Sequence, residues 1–170
     1  PPFGAVFTYH LRDTLESSHQ ARRKAERKLA DEGRSVAIPT WEDLRNEDLE
    51  ERTEIILTVK DAEGSIVRRI VGPATAGMHR VAWDLRWPSP APIKGASPAE
   101  DGGPMVAPGT YTVRLQRRAD GTLTPLGAPQ TFEAVPLGTA TLPAPDREAL
   151  AAFHKQAAEL QRAVMATVEV

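Results

Sequence analysis

The chain has 170 residues, 41% of them apolar and 26% charged, which suits one globular domain built around one core. Its net charge of −2 leaves no excess of Lys and Arg to hold a phosphate backbone, so nucleic acid is set aside as a partner. With no Cys the chain has no disulfide, thiolate nucleophile or Cys-based zinc site, and no apolar run approaches the roughly 20 residues of a membrane span.

The first element is a strand from Ala5 to Leu11, with Ala5, Phe7, Tyr9 and Leu11 facing inward across the pleat. From Asp13 to Glu32 the period becomes helical, with Ala21, Ala25 and Leu29 spaced by four among basic residues and Gly33 as a stop. A second helix begins at Thr40-Trp41-Glu42-Asp43, where the Thr40 hydroxyl can cap an orphan N–H, and it runs out by about Arg52. Ile55, Leu57 and Val59 then alternate against Thr58 and Lys60, and Asp61 to Gly64 turns the chain into a strand from Ile66 to Val71. A further strand over Met78 to Leu85 puts Val81, Trp83 and Leu85 on one face.

Between Trp87 and Pro108 stand Pro88, Pro90, Pro92, Pro98 and Pro104 with several glycines, which predicts a long loop. Tyr111, Val113 and Leu115 alternate cleanly, Asp120-Gly121 signals a hairpin into Thr122-Leu123-Thr124, and Phe132 and Val135 mark the last strand region. From Asp146 onward Leu150, Phe153, Ala157, Leu160 and Val164 recur by threes and fours, the seam of an amphipathic helix. Such a stripe needs a cover, and the small residues Ala21 and Ala25 of the first helix offer one. The expectation is therefore an antiparallel pair of the terminal and inserted helices beside the sandwich. A copy of the seam from a second chain is the alternative cover.

The residues that carry chemistry are sparse. Glycoside hydrolysis needs two carboxylates held across a sugar, one of them protonated through burial. The acids here, Glu42, Asp43, Glu47, Asp48, Glu50, Glu51 and Glu54, form one polar stretch. It reads as a solvated face partly paired with Arg22, Arg23, Lys24, Arg27 and Lys28. His10, His19, His79 and His154 are scattered without a ligand spacing, and no serine sits in a Gly-x-Ser-x-Gly elbow. No catalytic, cofactor or metal residue is assigned, and no cofactor is expected. Trp41, at a helix start, and Trp87, beside Pro88, remain as candidate contacts for a glycan or a protein partner; either can equally staple its own loop.

Three stretches in order carry a resemblance: Ile55-x-Leu57-x-Val59-x-Asp61-x-x-Gly64-x-x-Val67-Arg68, then Gly77-x-His79-x-Val81-x-Trp83-Asp84-Leu85, then Val106-Ala107-Pro108-Gly109-Thr110-Tyr111-x-Val113. Together they resemble the Ig-like, fibronectin III-like domain related to the flagellar hook-cap type. The closest likeness is to the copy near the C-terminus of bacterial BNR-repeat, sortilin-like β-propeller proteins called glycosyl hydrolases. The opening Pro1-Pro2-Phe3-Gly4-Ala5-Val6-Phe7 and the Pro39-Thr40-Trp41-Glu42 segment fit the same family. The resemblance covers Pro2 to about Pro136.

It implies a mainly β domain with some α structure: an Ig-like antiparallel β-sandwich over 1–145, a helical insertion over about 13–52 and a C-terminal helix over 146–170. It also implies a preceding β-propeller as partner, an exported, extracytoplasmic parent, and a non-catalytic accessory or interaction role. A carbohydrate-binding module supporting a glycoside hydrolase is the alternative. Members of the hook-cap family often have Gly where this chain has Leu85, which predicts loss of the tight turn there but not of the strand.

Overall fold

The computed structural model describes residues 3–51, 53–91, 102–119, 121–138 and 146–168. Pro1 and Pro2 of the opening motif, Pro92 and Pro98 of the Pro-rich loop, and Asp120 of the hairpin lie outside the described residues. In chain order the elements are β1 (Ala5–Leu11), α1 (Ser18–Asp31), α2 (Trp41–Leu49), β2 (Glu54–Lys60), β3 (Ile66–Gly72), β4 (Gly77–Trp83), β5 (Gly109–Ala119), β6 (Thr122–Pro125), β7 (Gln130–Ala134) and α3 (Arg147–Val168).

Two antiparallel sheets face each other. The smaller is β1 with β4, in register from Ala5 opposite Trp83 to Leu11 opposite Gly77. The larger runs β3-β2-β5, with β6 and β7 sharing the far edge of β5 at its two ends, so it is four strands wide. Leu57 is flanked by Ile70 and Leu115, and Tyr111 stands opposite Phe132. The inward set read from the sequence is buried, Ile55, Leu57 and Val59 as well as Tyr9 and Leu11, but Ile56 and Thr58 on the other face of β2 are buried too; Gly64 closes the β2–β3 hairpin at a φ of 83°.

Trp83 is 1% exposed and lies at the centre of one core cluster with Val59, Val67, Val106, Tyr111 and Ala134. Its ring meets those of Tyr111 and Phe132 edge-on at 5.6 and 6.2 Å, and its indole N–H donates to the Arg86 carbonyl at 3.0 Å. Leu85 and Val113 pack against this cluster, while Val81, Val113 and Leu115 pack against a second one of Tyr9, Leu11, Ile55 and Leu57. Both triplets, Val81, Trp83 and Leu85 of the β4 stretch and Tyr111, Val113 and Leu115 of β5, therefore pack on the two core clusters. At the start of β5 the Tyr111 hydroxyl donates to the Ala107 carbonyl four residues upstream, 2.6 Å away, the geometry of a tyrosine corner. Burial pushes that hydroxyl's pKa up.

Three expectations are corrected. β4 ends at Trp83 rather than Leu85, and Leu85 takes a φ of 58°, so the left-handed turn that glycine would serve is kept by a leucine. The packing of Leu85 against the Trp83 cluster holds it there. Val135 lies beyond β7 and is exposed.

The helical pairing is different as well. α1 packs on α2, not on α3: the Arg22 guanidinium bonds both carboxylate oxygens of Glu47, at 2.6 and 2.8 Å, and also reaches Glu26. Ala21 and Ala25 stay exposed, and only Leu29 of that stripe is partly covered. Charge on the α1 and α2 faces, rather than small apolar residues, joins the inserted pair.

Candidate functional site

The helical insertion starts from two reciprocal caps. The Ser17 side chain accepts from the Gln20 N–H while Gln20 returns to the Ser17 N–H; Thr40 and Asp43 repeat the arrangement before α2. The hydrogen bonds from the Thr40 hydroxyl and N–H hold the Asp43 carboxyl below its usual range, and Arg22 does the same for Glu47. Glu50 accepts from the Ser18 N–H at 2.7 Å, Glu51 from the Gly121 N–H at 3.1 Å, and Glu54 pairs with Arg118 at 2.8 Å. Five of the seven acids of this stretch, Asp43, Glu47, Glu50, Glu51 and Glu54, are thus engaged in caps, backbone hydrogen bonds or ion pairs. Among the described residues no three His, Asp or Glu side chains converge as metal ligands.

The two candidate tryptophans are placed apart in role. Trp87 is partly buried against the Trp83 cluster, and its backbone is pinned on both sides: its N–H donates to Pro104, and its carbonyl accepts from Gly103 and from the Arg68 guanidinium. The Lys155 ammonium of α3 sits 4.6 Å from the Trp87 ring centre. This is the staple role. Trp41 is 88% exposed at the first turn of α2, with Ile38, 92% exposed, three residues before it. The insertion thus carries large apolar side chains in water, Leu49 at 76% exposure and Val36 at 38% besides these two.

A trough that the sequence did not reveal lies between α3 and the end of the sandwich. It encloses about 1070 Å³ and is lined by Phe3, Leu85, Met105, Phe132, Leu137 and Leu150 among others, with Arg86, Glu133, Arg147 and His154 as charged or titratable groups. Neither Trp41 nor Trp87 lines it. Its walls come from five separate stretches, so no local pattern announces it. α3 turns Leu150, Ala151, His154, Ala157, Ala158 and Gln161 to the trough, while Phe153, Leu160 and Val164 face solvent. The expected seam is therefore split, with Leu150 and Ala157 at the trough and the other three members uncovered. The face toward the trough carries Ala151, Ala157 and Ala158 among larger side chains. No described helix is long and apolar enough to cross a membrane.

No protein-family model, curated protein or solved structure matches the chain.

Proposed function

We propose that this chain is a non-catalytic interaction module of Ig-like type, an accessory part of a larger exported β-propeller protein of the BNR-repeat, sortilin-like kind. The observation that carries the interaction role is the pair Ile38 and Trp41, both about nine-tenths exposed on the helical insertion. Isolated large apolar side chains in water are common, but two together on one short segment offer an apolar contact surface. The buried Trp83 and the corner formed by Tyr111 support the Ig-like reading. The propeller, the export and any hydrolase activity of the parent rest on the sequence resemblance alone.

The test is an assay of the folded chain on a panel of glycosides, followed by deletion of this region from the full-length parent. The expected result is no turnover by the chain itself and a parent whose activity or assembly changes on deletion. Turnover by the chain that disappears on replacing a single carboxylate would reject the proposal. The exposed indole of Trp41 favours a second reading, a carbohydrate-binding module, because a free ring face can stack on a sugar. Calorimetry with polysaccharides at millimolar ligand tests it. Binding lost in Trp41→Ala supports it, and no heat across the panel removes it.

A further inference from the structure

We propose that the trough between α3 and the end of the sandwich is a peptide-binding groove, which takes an extended segment of alternating apolar residues with a net negative charge as a strand added to the free edge of β7. The proposal rests on the interaction-module reading and supplies a second contact beside that of Ile38 and Trp41. Two walls of the trough are a strand edge and a helix, the pairing that serves strand addition in peptide-binding domains. One wall is residues 132–138, seven in a row that include the last three of β7 and span at most about 23 Å when extended. The other is a stripe of α3, where Arg147, Leu150, Ala151, His154, Ala158 and Gln161 recur by threes and fours over about 21 Å of helix. Spread over that length, the volume of about 1070 Å³ leaves a mean cross-section of about 50 Å². One strand with its side chains occupies roughly 4.8 by 10 Å and fits, whereas a helix about 10–12 Å across is too wide.

β7 pairs with β5 alone, and among the described residues no backbone hydrogen bond joins 130–138 to any other segment, so its second edge presents N–H and C=O groups to a ligand. Pro136 has no N–H, which confines the added ladder to β7 and Val135. The apolar side chains of the trough lack a cover. Phe3, Met105, Val135, Leu137 and Leu150 all line it and are 43–73% exposed, within reach of the alternate side chains of an added strand.

Part of the lining is tied down in advance. The Gly103 N–H donates to the Trp87 carbonyl at 2.8 Å, the Trp87 N–H to Pro104 at 3.0 Å and the Val106 N–H to Leu85 at 2.9 Å, so binding has little ordering of this side to offset. Charge selects the sign of the ligand. Arg86, Arg147 and His154 line the trough against a single acid, Glu133, and Arg147 has no ion-pair partner among the described residues. An Asp or Glu on the peptide answers that imbalance.

The test selects a displayed library of random decapeptides on the 170-residue chain and titrates each enriched sequence, made synthetically, by fluorescence anisotropy. The expected peptides alternate apolar residues and carry an excess of Asp or Glu. Methylating the peptide's backbone nitrogens at alternate residues removes its donors along one edge and keeps its side chains. In one of the two alternate registers this is expected to weaken binding by about tenfold or more. Ala158→Trp and Ala151→Trp, which fill the trough from α3, should each weaken it as much, with melting followed to show that the fold is kept. Leu160→Asp, on the solvent side of α3, should leave the affinity within about twofold. No enrichment overturns the proposal. So does binding that survives both tryptophan variants, binding unaffected by methylation in either register, or a preference for Lys- and Arg-rich peptides. These readouts do not involve Trp41 or glycoside turnover, so failure here leaves the interaction-module reading to its own assays.

Discussion

At the scale of the residue, Trp83 and Leu85 carry the most information. Trp83 fills the space between the sheets and has its one polar atom satisfied, so truncation leaves a cavity that the strands on both sides can only partly close. Trp83→Ala is expected to lower unfolding free energy by about 3–5 kcal/mol, read as the shift in denaturant midpoint. An unchanged midpoint would contradict the core placement. Leu85 combines a left-handed backbone with partial burial. Leu85→Gly relieves a strain of about 1–2 kcal/mol but removes apolar packing of similar size, so the two nearly cancel. Leu85→Val keeps most of the packing and puts a β-branched side chain where the backbone rejects it. The valine variant should therefore melt well below the glycine variant; the opposite order would mean that packing alone governs the site.

At the scale of the element, the α1–α2 pair and α3 are held by different forces. The bond from Arg22 keeps the Glu47 pKa below that of an unfolded carboxyl, so the folded state binds fewer protons on the acid side. The stability contributed by Glu47 is present above the usual carboxyl pKa of about 4.3 and is lost as pH falls through its lower folded value. Arg22→Met should reduce the difference between denaturation midpoints at pH 7 and at pH 3, mainly by lowering the neutral one. An identical acid limb in the variant would show that the pair is not coupled to folding. For α3, Leu150 lines the trough and Leu160 faces water. Leu150→Asp is expected to loosen the helix, seen as faster amide exchange along it. Leu160→Asp should change stability by less than about 0.5 kcal/mol. Equal effects would mean that α3 docks through its larger apolar face after all.

At the scale of the whole molecule, the sequence determined the local elements and the occupant of the core, because those depend on short periods. Alternation places Ile55, Leu57, Val59 and Trp83 inward whatever the strands pack against; Gly64 turns because a hairpin of that length needs positive φ; Thr40 caps because its hydroxyl reaches the N–H three residues on. Leu85 escaped this reading because its conformation is imposed by packing and opposes its own preference. A helical period likewise shows which side chains share a stripe but not which surface accepts the helix. Only the tertiary structure decided that α1 joins α2 through Arg22 and Glu47, that Phe153 and Leu160 stay in water, that Trp87 is pinned while Trp41 is free, and that two strands face a sheet four wide. Each of these is settled by contacts between residues distant in sequence, whose energies depend on the approach of whole elements.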